Sequence, residues 1–138
     1  MATKIGTMPF PQATDFPDGT VSDVVYTYSG GAASGDVIQF SGNVLGAIPA
    51  GAYLLSSVLI IPGSTASLTA SVGYASTDGD VTTQNATNAT FLNNATPIAT
   101  AGRYTATSGN VPVKLPKAAW PTVTIGGASL PATAIALI

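Results

Sequence analysis

Turn-forming pairs interrupt this chain at short, fairly even intervals, and that spacing constrains the folds available to it. From Val21 onward the interruptions include Gly30-Gly31, Ser34-Gly35, Pro62-Gly63 and Gly126-Gly127. Such pairs mark turns between regular segments. About eight short strands fit between the turns. The pattern is typical of an all-β domain, either a β-sandwich or a jelly roll. A closed barrel is the alternative.

The segments between the turns alternate apolar and polar side chains with the period of a β-strand. Val24, Tyr26 and Tyr28, for example, are separated by the residues that face the opposite side. The same reasoning predicts strands over residues 36–44, 52–61, 68–74, 98–107, 111–115, 120–125 and 132–138. Residues 81–97 are rich in Asn and Thr, which are poor helix formers, and we predict a long loop there.

Residues 52–61 differ from the other predicted strands because both of their faces are apolar. A strand of this kind is central and covered on both sides, or its second face is covered by a partner. The sequence therefore suggests a contact between two copies of the chain. The candidate interface residues of this strand are Tyr53, Leu55, Leu59 and Ile61.

Residues 1–20 read as an extended N-terminal arm attached to a β-sandwich domain at 21–138. Three prolines block helix formation in the arm, while Phe10 and Phe16 supply apolar surface to bury. We expect the arm to dock on a surface, either that of a partner or that of its own domain. Phe10 and Phe16 are therefore candidate interface residues, as is Trp120.

The composition excludes most catalytic chemistry. The chain has no His, Cys or Glu, and its charged side chains are four Lys or Arg and six Asp. It thus lacks the usual general acid–base groups, the thiol nucleophile and the ligands that transition metals prefer. We expect a protein that is not an enzyme, has no cofactor or metal and works through its surfaces.

The charge pattern also bears on partners. Charged residues make up 7% of the chain, against about 25% in a typical soluble domain. A surface this neutral suits a subunit packed against neighbours. The four basic residues form no dense patch, so nucleic acid is not expected. The most apolar stretch, 52–61, is too short to span a bilayer. The start of the chain has no apolar signal region, and the absence of Cys fits synthesis in a reducing cytoplasm.

Three weaker patterns remain. Asp78-Gly79-Asp80 resembles part of a calcium or hydrolase site, but a hairpin turn explains it better. Three Asn-Ala-Thr triplets match the glycosylation pattern within 85–96, which chance explains in a chain so rich in these residues. The tyrosines and Trp120 are a candidate sugar-stacking platform, although core and interface packing is the commoner role of such residues.

Four segments of the chain resemble the head-decoration, or cement, proteins of tailed bacteriophages. They are Ile48-Pro49-Ala50-Gly51-Ala52-Tyr53, Ser71-Val72-Gly73-Tyr74-Ala75-Ser76, Ala101-Gly102-Arg103, and residues 123–132, which read VTIGGASLPA. Together they span roughly Gly35 to the C-terminus and are signatures of turns and strands rather than of chemistry. The arm is not part of the resemblance.

The resemblance implies a jelly-roll-like β-sandwich that binds the outside of a phage capsid. On this hypothesis the partners are the major capsid protein and further copies of the chain, as a dimer or trimer. The protein is made in the host cytoplasm and stabilises the shell by bridging capsid subunits. The alternative function is a carbohydrate-binding or adhesive module of a tail or surface assembly, and a hydrolase using Asp78 or Asp80 is a third interpretation.

Overall fold

The computed structural model describes residues 3–6, 24–41, 47–63, 65–78, 87–106 and 113–138. These residues form strands, turns and connecting segments and contain no helix. Accordingly, within these ranges there is no helical segment of the length and hydropathy needed to cross a membrane. The all-β class predicted from the sequence is confirmed.

The strands form two main sheets and one small sheet. The first sheet has the order β1-β3-β10-β6-β7, the second β2-β11-β5-β8, and the small sheet pairs β4 with β9. The strands are β1 (Thr3–Ile5), β2 (Tyr26–Ala32), β3 (Val37–Gln39), β4 (Tyr53–Leu54), β5 (Val58–Ile61), β6 (Thr69–Ser76), β7 (Thr87–Pro97), β8 (Gly102–Thr105), β9 (Val113–Lys114), β10 (Ala119–Gly126) and β11 (Leu130–Leu137).

A single apolar core lies between the two main sheets, as expected for a β-sandwich. The first sheet contributes alternate residues of β10, such as Val123 and Ile125, and the second contributes Leu59, Ile135 and Leu137. The rings of Tyr26 and Phe40 meet with their centroids 5.6 Å apart. On β5 the alternation seen in the sequence becomes one buried and one partly exposed face, whereas on β10 Thr122, on the face opposite the core, is buried as well. The predicted sandwich is confirmed, while its jelly-roll connectivity stays a prediction.

The predicted strand over residues 52–61 is wrong as a single element. The structure divides it into β4 in the small sheet and β5 in the second sheet. Leu55, Ser56 and Ser57 connect the two strands. The buried Ser57 carbonyl accepts a hydrogen bond from the Ala106 N–H. The chain therefore changes sheets at the two serines, and eleven strands appear in the described ranges in place of about eight.

The predicted loop over residues 81–97 is also wrong where the structure describes it. Residues 87–97 form β7, which pairs antiparallel with β6 along the edge of the first sheet. The register shifts twice along this pair, so β7 carries extra residues that bulge from the ladder. Backbone bonding to a long neighbouring strand overrides the weak intrinsic preference of Asn and Thr.

Several strand ends also differ from the prediction. β8 begins at Gly102 and not at Ile98, where the predicted strand 98–107 starts. Gly30 and Gly31 continue β2 rather than end it, because the strand stays paired with β11 as far as Ala32. β11 begins before Pro131 and not after it, and the register shift between Leu130 and Thr133 accommodates the missing proline donor. β3 covers Val37–Gln39 of the strand predicted over 36–44, of which residues 42–44 lie outside the described ranges.

Part of the predicted arm belongs to the domain's own sheet. β1 pairs in parallel with β3, and the Gly6 N–H donates to the Gln39 carbonyl oxygen at 2.9 Å. A Cβ on Gly6 would lie 2.1 Å from Cδ1 of Phe40, so any larger residue here would force this buried ring to shift. Residues 7–23, with Phe10 and Phe16, lie outside the described residues, and docking of that part of the arm stays a prediction.

Candidate functional site

The carboxylates of the described residues are engaged in local structure. Asp36 is buried, and one of its carboxylate oxygens accepts a hydrogen bond from the Ala33 N–H at 2.9 Å. Asp78, at the end of β6, accepts from Ser76 Oγ at 2.5 Å and from Lys117 Nζ at 3.1 Å. Within the described ranges, no three His, Cys, Asp or Glu side chains come together as a metal site would require. Asp80 lies outside these ranges.

Two tyrosines have strongly perturbed acidity for a structural reason. Burial in the core raises the pKa of Tyr26 and of Tyr74 to about 12, because the phenolate would lose its hydration. Both side chains are almost fully buried. They are therefore neutral at physiological pH. Their role is packing.

The aromatic residues do not form a shared platform. Tyr26 and Tyr74 belong to the core, and Tyr28 and Tyr104 pack against it. Tyr28 donates its hydroxyl proton to the Gly31 carbonyl at 2.8 Å, and Tyr104 donates to the Thr100 carbonyl. Tyr53 is the only strongly exposed aromatic side chain among those the structure describes. A sugar-stacking surface needs several exposed rings, so the described residues give the carbohydrate alternative no support.

Trp120 lies on the face of the first sheet opposite the core. It shares this face of β10 with Thr124 and with Thr122, which is itself buried, since the intervening residues Pro121 and Val123 are turned to the core. Trp120 is half-buried, and its indole nitrogen has no hydrogen-bond partner. Trp120 thus belongs to the first sheet, whereas Tyr53 belongs to the small sheet and Leu55 to the segment that follows it.

Among the described residues, Tyr53 and Leu55 are the two strongly exposed large apolar side chains that lie close together in the sequence. Tyr53 is 64% exposed and Leu55 is 50% exposed, whereas Leu54 between them packs against the core. The small sheet holds Tyr53 directly opposite Lys114, which is also exposed. We call Tyr53, Leu55 and Lys114 the Tyr53 patch. Large apolar residues grouped in this way on a surface are a common mark of an interaction site.

Leu59 and Ile61, the other candidates from this part of the sequence, fill the core. They are 1% and 2% exposed. The outward residues of the same strand are Val58 and Ile60, which are not among the interface residues predicted from the sequence. Two features make Val58 and Ile60 the outward residues: the strand break at Ser56 and Ser57, and the pairing of β5 with β11. Only the strand break can be read from neighbouring residues in the sequence.

The outward face of the second sheet has an apolar centre. Val58 and Ile60 of β5 lie beside Ile138 and Ala136, and all four are partly exposed. We call these four residues the second-sheet face. Arg103 and Thr105 of β8 border it on one side. Together with the Tyr53 patch, this face gives the second sheet and its small neighbour several apolar side chains that are partly or strongly exposed.

No protein-family model matches the chain, and no curated protein matches it. A solved structure described as the capsid of Ralstonia phage GP4 contains a chain of similar fold, with a TM-score of 0.58. The match covers 96% of this chain and 94% of that one at 18% sequence identity. At this identity the similarity shows a shared fold.

Proposed function

We propose that this chain is a non-enzymatic structural protein of a phage virion, which binds the outer surface of the capsid and stabilises the shell. The observation that carries the proposal is the match of almost the whole chain to a protein of a phage capsid. Nearly complete coverage of both chains means that the shared fold is the entire domain and not a common sandwich fragment. The lack of His, Cys and Glu supports a role without catalysis.

The attachment rests on apolar contact. In the Tyr53 patch, the side chains of Tyr53 and Leu55 are at least half exposed, and the only charge beside them is that of Lys114. Burying such side chains removes apolar surface from water, and the resulting free energy changes little with ionic strength. A protein with so few charges has little electrostatic attraction to contribute. Binding to the shell should therefore survive raised salt.

Stabilisation follows from bridging. Each copy contacts neighbouring major capsid subunits at more than one point, so that weak contacts add through a high local concentration. We propose that Phe10 and Phe16 provide a second attachment. For these two residues the proposal rests on the sequence alone. Copies also contact one another on the shell. The protein is made in the host cytoplasm and ends on the capsid exterior.

The direct test is rebinding to particles from which the protein's own copies have been removed. Purified protein is mixed with stripped particles at low ionic strength and at about 0.5 M salt, and bound protein is measured after sedimentation. We expect saturable binding of similar affinity in both conditions, and none to complete particles. Absence of saturable binding, or its loss at high salt, would contradict the proposal.

The attachment through the arm is tested with Phe10→Ser combined with Phe16→Ser. Burying one Phe is worth about 1.5–3 kcal/mol, so losing both should weaken particle binding by a few orders of magnitude. The melting temperature should stay nearly unchanged. A large fall in melting temperature with intact particle binding would show instead that the arm docks on its own domain.

A further inference from the structure

The outward face of the second sheet is ordered in rows that cross the strands. Arg103 of β8 pairs with Ile60 of β5, Ile60 with Ala136 of β11, and Ala136 with Thr27 of β2. One row therefore reads charged, large apolar, small apolar, hydroxyl. The next apolar pair is Val58 and Ile138, which exchange two backbone hydrogen bonds of 2.8 and 2.9 Å.

The residues next to these along each strand point the other way. Leu59, Tyr104, Leu137 and Tyr26 form the corresponding row on the inner side and belong to the core or pack against it. Because strand side chains alternate between faces, Ile60 and Ala136 must look away from the core. Both are partly exposed, as are Val58, Ile138 and Thr27, while Arg103 is exposed.

We propose that the second-sheet face binds the same face of a second copy, forming a two-fold symmetric dimer. This inference specifies the contact between copies that the proposed function includes, but it rests on the register of the second sheet and not on any contact with a shell. The dimer is isologous, so that every residue contact occurs twice.

Self-complementarity follows from the row itself. The large Ile60 side chain protrudes beside the small side chain of Ala136 on the neighbouring strand. We call Ile60 the ridge and the gap over Ala136 the notch. A two-fold axis that is parallel to the strands and lies above the face, midway between β5 and β11, places the Ile60 position of one copy over the Ala136 position of the other. Each Ile60 then lies over the Ala136 of the other copy, and the same operation lays Arg103 over Thr27. Two stacked sheets pack in this manner, with side chains of one filling gaps in the other.

The charges fit the same arrangement. The two Arg103 guanidinium groups come to lie at opposite rims, beyond the apolar centre, where each can donate to the Thr27 hydroxyl and stay hydrated. An apolar centre with a polar rim is the usual anatomy of a protein interface. The four residues of this row, Arg103, Ile60, Ala136 and Thr27, include no carboxylate. Because Ile60 and Ala136 at the centre are uncharged, the face needs no partner of opposite charge there.

The size of the face sets the expected strength. Four strands about 4.8 Å apart and about four to eight residues long give a footprint of a few hundred Å². A standard stable interface buries about 800 Å² on each partner. We therefore expect a reversible dimer in solution, which becomes more populated when neighbouring copies are held close together on a surface.

The test is sedimentation equilibrium of the purified protein over a range up to about 100 μM, with three variants. The protein should dimerise reversibly. Ala136→Arg, which puts a charge under the Ile60 of the other copy, should abolish dimerisation. Ala136→Ile alone fills the notch and should weaken the dimer by about tenfold or more. Ile60→Ala combined with Ala136→Ile exchanges ridge and notch in both copies, and it should restore the affinity.

Ser129→Arg is the matched control, because Ser129 is exposed on the turn between β10 and β11 and not on this face. It should leave the dimer intact. At concentrations too low for dimerisation, all variants should melt within a few degrees of the unchanged protein, because every changed side chain is partly or fully exposed. A monomer throughout the range, or a dimer that Ala136→Arg leaves unchanged, would overturn the inference. No particles enter this assay, so a dimer without particle binding would contradict only the proposed function.

Discussion

The Tyr53 patch allows the proposed shell contact to be separated from folding. Replacing Tyr53 and Leu55 together by Ser removes the two large apolar side chains that stand out from the small sheet. Full burial of such a side chain is worth about 1.5–3 kcal/mol. Since Tyr53 is 64% and Leu55 50% exposed in the free chain, docking gains only that remaining fraction of each. The two together contribute about 2–3 kcal/mol, or roughly 30- to 150-fold in the dissociation constant.

The assay is a binding isotherm on stripped particles together with a thermal melt of the free protein. The double variant should lose affinity by this factor and melt near the temperature of the unchanged protein, because exposed positions contribute little to folding. Ile5→Ser is a matched control, since Ile5 is 51% exposed but lies on β1 of the first sheet. Unchanged affinity in the double variant, or an equal loss with Ile5→Ser, would refute the assignment of the patch.

Two further predictions concern the fold. In denaturant unfolding, Gly127→Ala should destabilise the protein by more than Gly35→Ala. Both glycines have positive φ, which costs about 1–2 kcal/mol for other residues. Of the two, only Gly127 would bring its new Cβ against a backbone oxygen, that of Ser67, 2.0 Å away. Similar losses for both would contradict this. Stability should also fall as the pH rises from about 10 to 12, because the folded-state pKa of Tyr26 and of Tyr74 is raised to about 12 while the unfolded value is near 10. A flat denaturation midpoint over that window would show that the phenols are not buried as described.

Strands with a clear period of two were predictable because their alternation is local. β6 and β10 follow it closely, with Val72 and Val123 turned to the core. β7 was missed because its Asn- and Thr-rich sequence has no such pattern, and the strand depends on pairing with β6. Pairing partners distant in sequence leave no mark in a short window of residues.

The candidate interface was predictable only in part for the same reason. The apolar character of both faces of residues 52–61 was visible, and so were the exposed candidates Tyr53 and Leu55. The inward or outward direction of Leu59 and Ile60 depends on the sheet that β5 joins, and a change of one residue in register would exchange them. The notch at Ala136 belongs to a strand far away in the sequence, and only the fold brings it beside Ile60.

The central claim, that this protein stabilises a capsid, is tested most directly by the temperature at which particles rupture. A protein that binds the assembled shell and not its separated subunits stabilises the shell by mass action, by about 2.7 kcal/mol per site at a hundredfold excess over the dissociation constant. Stripped particles should release their contents at a lower temperature than complete ones, and adding the purified protein should restore the higher temperature until the sites are saturated. Rupture of stripped and complete particles at the same temperature would contradict the claim.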